Sequence, residues 1–304
     1  MQSTTQTDNT TLAAPIRARD KDAGRRSELS RSWRRFKRYR PGMAGLILIG
    51  LLVLIAIFAP VLAPYSPEKV DTHRLGEGLS WAHPLGFDGI GRDVLSRTIY
   101  GTRVALLVGL LSTAIAVSIG VTVGATAGYF GGWVDTLLSR IVDTLMAFPL
   151  LVLLVTLSAV FSPSLKTTII VIGVSVWASY ARLVRADVLS IRERDYIQSA
   201  RAVGADSRRI IMRHVLPNAL GPVIVIATLG IGGIIILEAA LSFLGLGVQP
   251  PTASWGGDLS SARQYLEIYP HMAIAPGVMI TITVLAFNFV GDGLRDALDP
   301  RQRE

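Results

Sequence analysis

The sequence predicts an all-α protein that crosses a membrane six times. Six stretches without a charged residue recur along the 304-residue chain. They cover residues 43–67, 104–134, 144–165, 167–181, 215–237 and 272–291. A helix needs roughly 20 apolar residues to cross ~30 Å of hydrocarbon, and five stretches are long enough. The fourth is shorter, but Lys166 and Arg182 at its ends can extend their charges to the interface.

The basic residues divide unevenly between the two sides of these spans. The tails, Arg140 and the loop 182–217 fall on one side and hold 23 of the 30 Lys and Arg residues, against 7 on the other. Loops rich in Lys and Arg stay in the cytoplasm. The sequence therefore predicts a multi-pass membrane protein with both termini cytoplasmic, as an even number of spans also requires.

The composition excludes several other classes of site. The chain has no cysteine and four scattered histidines, so it predicts neither disulfides nor a metal site. The net charge of +8 is better explained by membrane orientation than by nucleic acid. Membrane lipids, and not nucleic acid, are the expected partners of the basic tail.

The region before the core divides into two parts. Residues 1–42 are interpreted as a basic cytoplasmic tail, disordered up to residue 30. Its last part suits a short helix at the anionic inner leaflet, with aromatic residues at Trp33, Phe36 and Tyr39. Residues 43–103 are interpreted as an uncleaved first span and an outer loop. The loop ends in an amphipathic helix, Gly91–Arg103, that is expected to rest on the membrane surface.

The core, residues 104–291, contains the other five spans. "GYFGGWVD" (Gly128–Asp135) predicts a tight turn, because glycine tolerates positive φ. Phe148-Pro149 predicts a kink in the third span, since proline removes a backbone hydrogen bond. Residues 292–304 are interpreted as a cytoplasmic tail, whose charged residues include Asp292, Arg295, Asp296 and Asp299.

A basic loop, residues 182–217, separates the fourth and fifth spans. Its stretch "YIQSARAVGADSRRIIMRHVLPN" predicts two short helices. Gly204 would end the first helix in a left-handed conformation, and Asp206 would cap the second. Pro217 would end the second helix and start the fifth span. The predicted apolar faces consist of Tyr196, Ala200 and Val203 in the first helix and of Ile210, Ile211 and Val215 in the second. Helices this small bury little surface, so a groove on a partner protein is expected to hold them.

The basic loop resembles the cytoplasmic coupling loop of ABC importer permeases. That pattern is Glu-Ala-Ala, three residues, Gly, nine residues, Ile, one residue, Leu-Pro. The spacing is kept in full, although Gln198 replaces the acid and His214 the isoleucine. Four further segments are similar to the C-type permease of the dipeptide/oligopeptide/nickel group, namely His83–Arg103, Gly128–Asp135, Glu238–Leu259 and Phe287–Arg301.

The resemblance implies a type I ABC importer permease fold and a division of labour between subunits. Its partners would be a homologous B-type permease, two ABC ATPases and an extracytoplasmic substrate-binding protein. The chain has no G-x-x-x-x-G-K-[ST] loop, so ATP and Mg²⁺ would be bound by the ATPases, and no catalytic residue or cofactor is expected here. The residues implied in ATPase coupling are Gln198, Ser199, Ala200, Val203, Gly204, Ala205, Asp206, Arg208, Arg209, Arg213, Leu216 and Pro217.

Two residues are candidates for the translocation path. Glu238 lies near the outer end of the fifth span, where it could line the path or reach the interface. Trp255 lies in a predicted outer loop or shallow re-entrant segment, where it could anchor at the interface or stack on a peptide.

The predicted function is the permease subunit of an ATP-driven importer of di- or oligopeptides. Nickel chelates, glutathione or oligosaccharides are alternative cargoes for the same fold. An ion-driven secondary transporter is an alternative of another class, but it needs ionisable groups at mid-depth or paired broken helices in inverted halves. Neither feature is evident in the sequence.

Overall fold

The computed structural model of the chain describes residues 32–298. The predicted disorder of residues 1–30 and the position of Asp299 lie outside this range. Within it every regular element is helical, which confirms the predicted class. The helices are α1 (32–38), α2 (Arg40–Leu62), α3 (Val94–Phe130), α4 (Gly132–Ala147), α5 (Leu150–Val160), α6 (Leu165–Arg192), α7 (Asp195–Ala202), α8 (Ser207–Ile210), α9 (Leu216–Phe243), α10 (Trp255–Ala262) and α11 (His271–Leu298).

Five long helices and one broken pair account for six candidate spans. α2, α3, α6, the continuous segment Ser207–Phe243 and α11 are each long and apolar enough to cross a membrane. α4 and α5 pass the same test as a pair but are bent by 89°. The break falls at Phe148 and Pro149, both extended in backbone conformation. The predicted kink is therefore present, as a sharp break between α4 and α5.

The second span is longer than its charge-free stretch predicts. α3 runs over 37 residues, about 55 Å at 1.5 Å per residue, so one end projects beyond the ~30 Å hydrocarbon core. A separate surface helix over Gly91–Arg103 is not found, because these residues are the start of α3 and the turn before it. Ser96, Arg97 and Thr102 are buried there, so the prediction that this segment rests on the membrane surface is wrong.

A stripe of glycines joins α3 to α6, the most extensive helix pair in the described chain. Gly120, Gly124 and Gly128 recur at every fourth position on α3. A Cβ atom at Gly124 would lie 2.5 Å from the Ala181 carbonyl oxygen, and one at Gly128 would lie 2.9 Å from that of Arg185. Small residues at this spacing let two helix backbones approach closely. The two helices therefore run together along their length.

The two ends of the described chain, α1 and the last turns of α11, differ from the predicted tails. Phe36 of α1 is 3% exposed and packs with Val290 and Ala297 of α11, so this aromatic residue contacts protein and not the leaflet. Trp33 stacks on Phe36 and remains half exposed. At the other terminus α11 continues to Leu298, so the tail predicted to begin at 292 is helical through its first turns, and its charged residues there are exposed.

Candidate functional site

The two helices of the basic loop meet at a glycine, as the sequence predicts. Gly204 has φ +78°. Its N–H bonds to the Arg201 carbonyl at 2.9 Å, and the Ala205 N–H bonds to the Ala200 carbonyl at 3.1 Å. These two bonds form a Schellman motif, which satisfies the last carbonyls of α7. The Asp206 side chain then accepts the Arg208 N–H at 3.1 Å and caps α8.

One face of the basic loop is anchored in the body of the protein. Ile197 and Ile210 are 0% and 1% exposed, and they share a hydrophobic cluster with Tyr129 of α3, Val188 of α6 and Val215. Ala200, Ala205, Ile211 and Leu216 pack against the same cluster. The apolar face predicted for α7 is thus partly wrong, because Ile197 replaces Tyr196 and Val203 as the buried residue.

The other face of the basic loop is exposed and combines cations with apolar side chains. Val203 is 86% exposed, Met212 61% and Tyr196 40%. The exposed cations of the second helix and the turn after it are Arg208, Arg209 and Arg213. Together with exposed Ser199 they form a bent, basic and partly apolar projection, suited to a groove on another protein. Gln198 bonds instead to the Arg192 carbonyl at 3.2 Å.

The basic loop joins α9 through a π-helical turn rather than a stop. The turn covers Ile211–Val215, and the Leu216 N–H bonds to the Ile211 carbonyl, five residues back. Pro217 lies in the first turn of α9. The prediction that Pro217 ends the second helix is wrong, whereas the prediction that it starts the fifth span agrees with its place in the first turn of α9. A wider turn accommodates the proline ring, which in an α-helix would clash with the carbonyl four residues earlier.

Opposite the basic loop, at the start of α3, lies a cluster of buried charges that the sequence did not predict. Two nitrogens of Arg97 lie 2.6 and 2.7 Å from Asp258 Oδ1, and Arg92 Nε lies 2.6 Å from Asp88 Oδ2. Both guanidinium groups are about 5% exposed. We call Asp88, Arg92, Arg97 and Asp258 the charged cap.

The surroundings of the charged cap fix it in place. Arg97 also donates to the Pro67 carbonyl at 3.1 Å. Beside the cap, His83 Nδ1 lies 2.8 Å from Asp93 Oδ2, and the imidazole is packed between Tyr65 and Phe87. Burial raises the pKa of the Asp258 carboxyl, whereas the Arg97 guanidinium opposes that shift. The cap ties α3, α10 and the loop between α2 and α3 into one unit.

Both candidate path residues are buried within the chain. Glu238 is 1% exposed, and its Oε1 accepts a hydrogen bond from Ser242 at 2.8 Å. Trp255 is also 1% exposed, and its indole N–H donates to the Thr98 carbonyl at 3.0 Å. Their burial contradicts an interfacial position for Glu238 and for Trp255, and the assignment of both residues to the translocation path stays a prediction.

α4 is attached to α6 by two ion pairs. Arg185 Nη2 lies 2.7 Å from Asp135 Oδ2, with a second contact through Nε, and Arg182 Nη2 lies 2.7 Å from Asp143 Oδ1. A cavity of about 190 Å³ opens between α3, α4 and α6 beside these pairs. The two arginines beside this cavity form ion pairs with carboxylates, so the cavity has no net positive charge. Across residues 32–298, no group of three His, Asp or Glu side chains is placed to hold a metal ion.

Comparison with known families identifies the chain. Residues 120–304 match the family described as "Binding-protein-dependent transport system inner membrane component". Residues 27–76 match "N-terminal TM domain of oligopeptide transport permease C". The chain belongs to this family of binding-protein-dependent permeases. It is a C-type permease of the ABC importers, a multi-pass protein of the bacterial inner membrane.

Individual relatives are similar to this permease over most of its length. It is 43% identical to the dipeptide transport system permease protein DppC of Alkalihalophilus pseudofirmus, over 90% of each chain. It is 45% identical to the glutathione transport system permease protein GsiD of Shigella flexneri, over 88% of this chain and 89% of the relative. Because the matches cover 88–90% of this chain, they include both the basic loop and the charged cap.

Solved structures share the fold of the permease. The MetNI methionine ABC transporter in an inward-facing conformation superposes with a TM-score of 0.55, at 24% identity, over 68% of this chain and 96% of that one. An amino acid ABC transporter with histidines superposes with a TM-score of 0.51, at 16% identity, over 65% and 92%. The predicted type I importer permease fold is confirmed.

Proposed function

We propose that this permease forms half of the translocation pathway of an ATP-driven importer of di- or oligopeptides. The other half would be a homologous B-type permease. Two ABC ATPases and an extracytoplasmic substrate-binding protein would complete the complex. The observation that carries the proposal is the basic loop, whose inner face is anchored by Ile197 and Ile210 while its outer face is open.

The loop geometry supports a mechanical role. Nucleotide binding would draw the two ATPases together, and the grooves that hold α7 and α8 would carry the basic loop with them. Because this loop shares a buried cluster with α3, α6 and α9, its displacement would move those helices and alternate the access of the pathway. The end with the basic loop is then cytoplasmic, with both termini, and the charged cap faces the substrate-binding protein.

Glutathione is the second candidate cargo. The identity to the glutathione permease GsiD, 45%, is similar to that for the dipeptide permease DppC, 43%. Glutathione is itself a small peptide, so both cargoes share peptide bonds and charged termini. Uptake of labelled dipeptide, oligopeptide and glutathione by the assembled complex would decide between them.

Site-directed cross-linking tests the coupling role. The chain has no cysteine, so Val203→Cys and Met212→Cys each place a single reactive thiol on the exposed face. We expect both to cross-link to a nucleotide-hydrolysing subunit in the assembled complex. Leu79→Cys, exposed on the opposite side, is the matched control and should give no such adduct. Adducts from position 79 alone, or from none of the three, would refute the proposal.

A further inference from the structure

Two arginines connect the basic loop to the end of α3. Arg192, the last residue of α6, donates from Nη1 to the Gly128 carbonyl at 3.0 Å. Arg201, in the last turn of α7, lies with its guanidinium carbon 5.0 Å from the centre of the Tyr129 ring. Gly128 and Tyr129 are adjacent, so both arginines reach the same turn of α3. Arg201 falls in the unspecified three-residue spacer of the coupling pattern and Arg192 lies before the pattern, so neither is among the residues that the resemblance implies in coupling.

The contact with Tyr129 orients α7 in a way that its apolar anchor cannot. Ile197 and Arg201 are four residues apart, so they project from the same face of α7. The Ile197 side chain packs without directional preference, so α7 could pivot about it. A cation over an aromatic face is directional, because the attraction comes from the ring quadrupole. Two attachment points, one at each end of this face, fix the direction of the helix.

The end of α3 is well placed to receive a displacement of the basic loop. α3 packs along α6 through its glycine stripe and extends from Tyr129 to Asp93, beside the charged cap. A movement of α7 that is transferred to Tyr129 therefore acts on a helix that crosses the whole protein. Without Arg201 and Arg192 the displacement would reach α3 only through the shared hydrophobic cluster and through α6 and α9, to which the basic loop is joined along the backbone.

We infer that Arg201 and Arg192 are positioning residues that make the basic loop and the end of α3 move as one body during transport. The inference rests on the proposed function. It adds an internal partner, the turn Gly128–Tyr129, to the external partner of the basic loop. Arg201 acts through Tyr129, and Arg192 through the Gly128 carbonyl, one of the last carbonyls of α3.

A double-mutant cycle in the assembled complex tests the pair. The variants are Arg201→Gln, Tyr129→Leu and both together, and the readouts are ATP hydrolysis with and without loaded binding protein, and uptake per ATP hydrolysed. Arg201→Gln should lower stimulated hydrolysis by about twofold to fivefold, in line with a cation–π contact of an exposed arginine, and leave unstimulated hydrolysis unchanged. The double variant should lose no more than the more damaging single variant.

Conservative variants and a control cycle separate positioning from other roles. Tyr129→Phe keeps the ring and should retain full stimulation, and Arg201→Lys keeps a cation and should restore part of it. Arg208, exposed on α8, gives the control, because Arg208→Gln should add its effect to that of Tyr129→Leu. For Arg192, Arg192→Gln should lower uptake per ATP hydrolysed without a matching fall in thermal stability.

The outcomes discriminate the inference from the proposed function. Additive losses for Arg201→Gln and Tyr129→Leu, or unchanged stimulation in Arg201→Gln, would overturn the inference while leaving the coupling role intact. So would loss of activity that tracks the melting temperature across all variants, because that result assigns both arginines to folding alone. Absence of any stimulation or uptake in the unmodified complex would instead refute the proposed function. Arg201→Gln alone carries the test if Tyr129→Leu, at a buried position, fails to assemble.

Discussion

The two ends of α3 use arginine in opposite ways. In the charged cap, Arg92 and Arg97 are buried and each meets a carboxylate within 2.7 Å. In the basic loop, Arg208, Arg209 and Arg213 are exposed, and within residues 32–298 none of them forms an ion pair. A buried charge whose partner lies in the same chain fixes local structure. An exposed cation on a rigid projection is available to another molecule. The contrast supports an architectural role for the cap and the proposed recognition role for the loop.

The largest effect is expected from breaking the charged cap. Arg97→Met would leave Asp258 buried without its main partner, which typically costs about 3–5 kcal/mol. We expect a large fall in the melting temperature of the purified permease complex. Arg209→Met, the matched change at the other end of α3, should alter stability by less than about 0.5 kcal/mol.

The paired replacement Arg97→Met/Asp258→Leu sharpens the same comparison. Replacing both members of a buried ion pair by apolar residues is often neutral, so this variant should recover much of the lost stability. If Arg97→Met and Arg209→Met were equally stable, the assignment of the two ends to different roles would fail.

An intermediate effect is expected from the glycine stripe that links the two ends. Gly124→Ala places a Cβ atom 2.5 Å from the Ala181 carbonyl oxygen, so α3 and α6 must separate, at a cost of about 1–3 kcal/mol. Gly233→Ala is the control, because nothing lies within 4 Å of a Cβ atom there. Thermal unfolding of both variants measures the difference, and equal stability would mean that the close packing contributes little.

The smallest effect on stability is expected at the bend of the basic loop. A Cβ atom at Gly204 meets nothing within 4 Å, so Gly204→Ala costs only the backbone strain of φ +78°, about 1 kcal/mol. Gly204→Asn should cost less, since asparagine tolerates this conformation. Stimulated ATP hydrolysis should nevertheless fall more in the alanine variant, because α8 would be misdirected. A stability loss well above that of Gly124→Ala would show that the bend also supports the fold.

The features that the sequence predicted correctly are those encoded by neighbouring residues. Charge-free stretches of about 20 residues indicate spans, and a glycine followed two residues later by Asp206 indicates a bend and a cap. The charged cap was missed because Arg97 and Asp258 are 161 positions apart. From local spacing, Arg97 was placed on an exposed amphipathic helix. The burial of Trp255 was missed for the same reason, since its hydrogen-bond partner, Thr98, is 157 positions away.

Local patterns also gave wrong predictions for Pro217 and for the buried face of α7. Pro217 ordinarily stops a helix, but the π-helical turn before it removes the steric conflict, and nothing in the residue types Ile211–Val215 indicates that turn. On α7, spacing alone could not decide which apolar residues are buried. Ile197 is buried because α3 and α6 supply a cluster there, which depends on tertiary packing.

The π-helical turn between α8 and α9 contains one residue more than an α-helical turn. If the extra residue moved along the helix to another turn, the segment that it passed would rotate by about 100° around the helix axis and advance by about 1.5 Å. The helix would remain continuous. Such a screw motion would present a different side of α9 to its neighbours without any hinge. In such a motion, translation of α9 along its axis and rotation about that axis would be coupled.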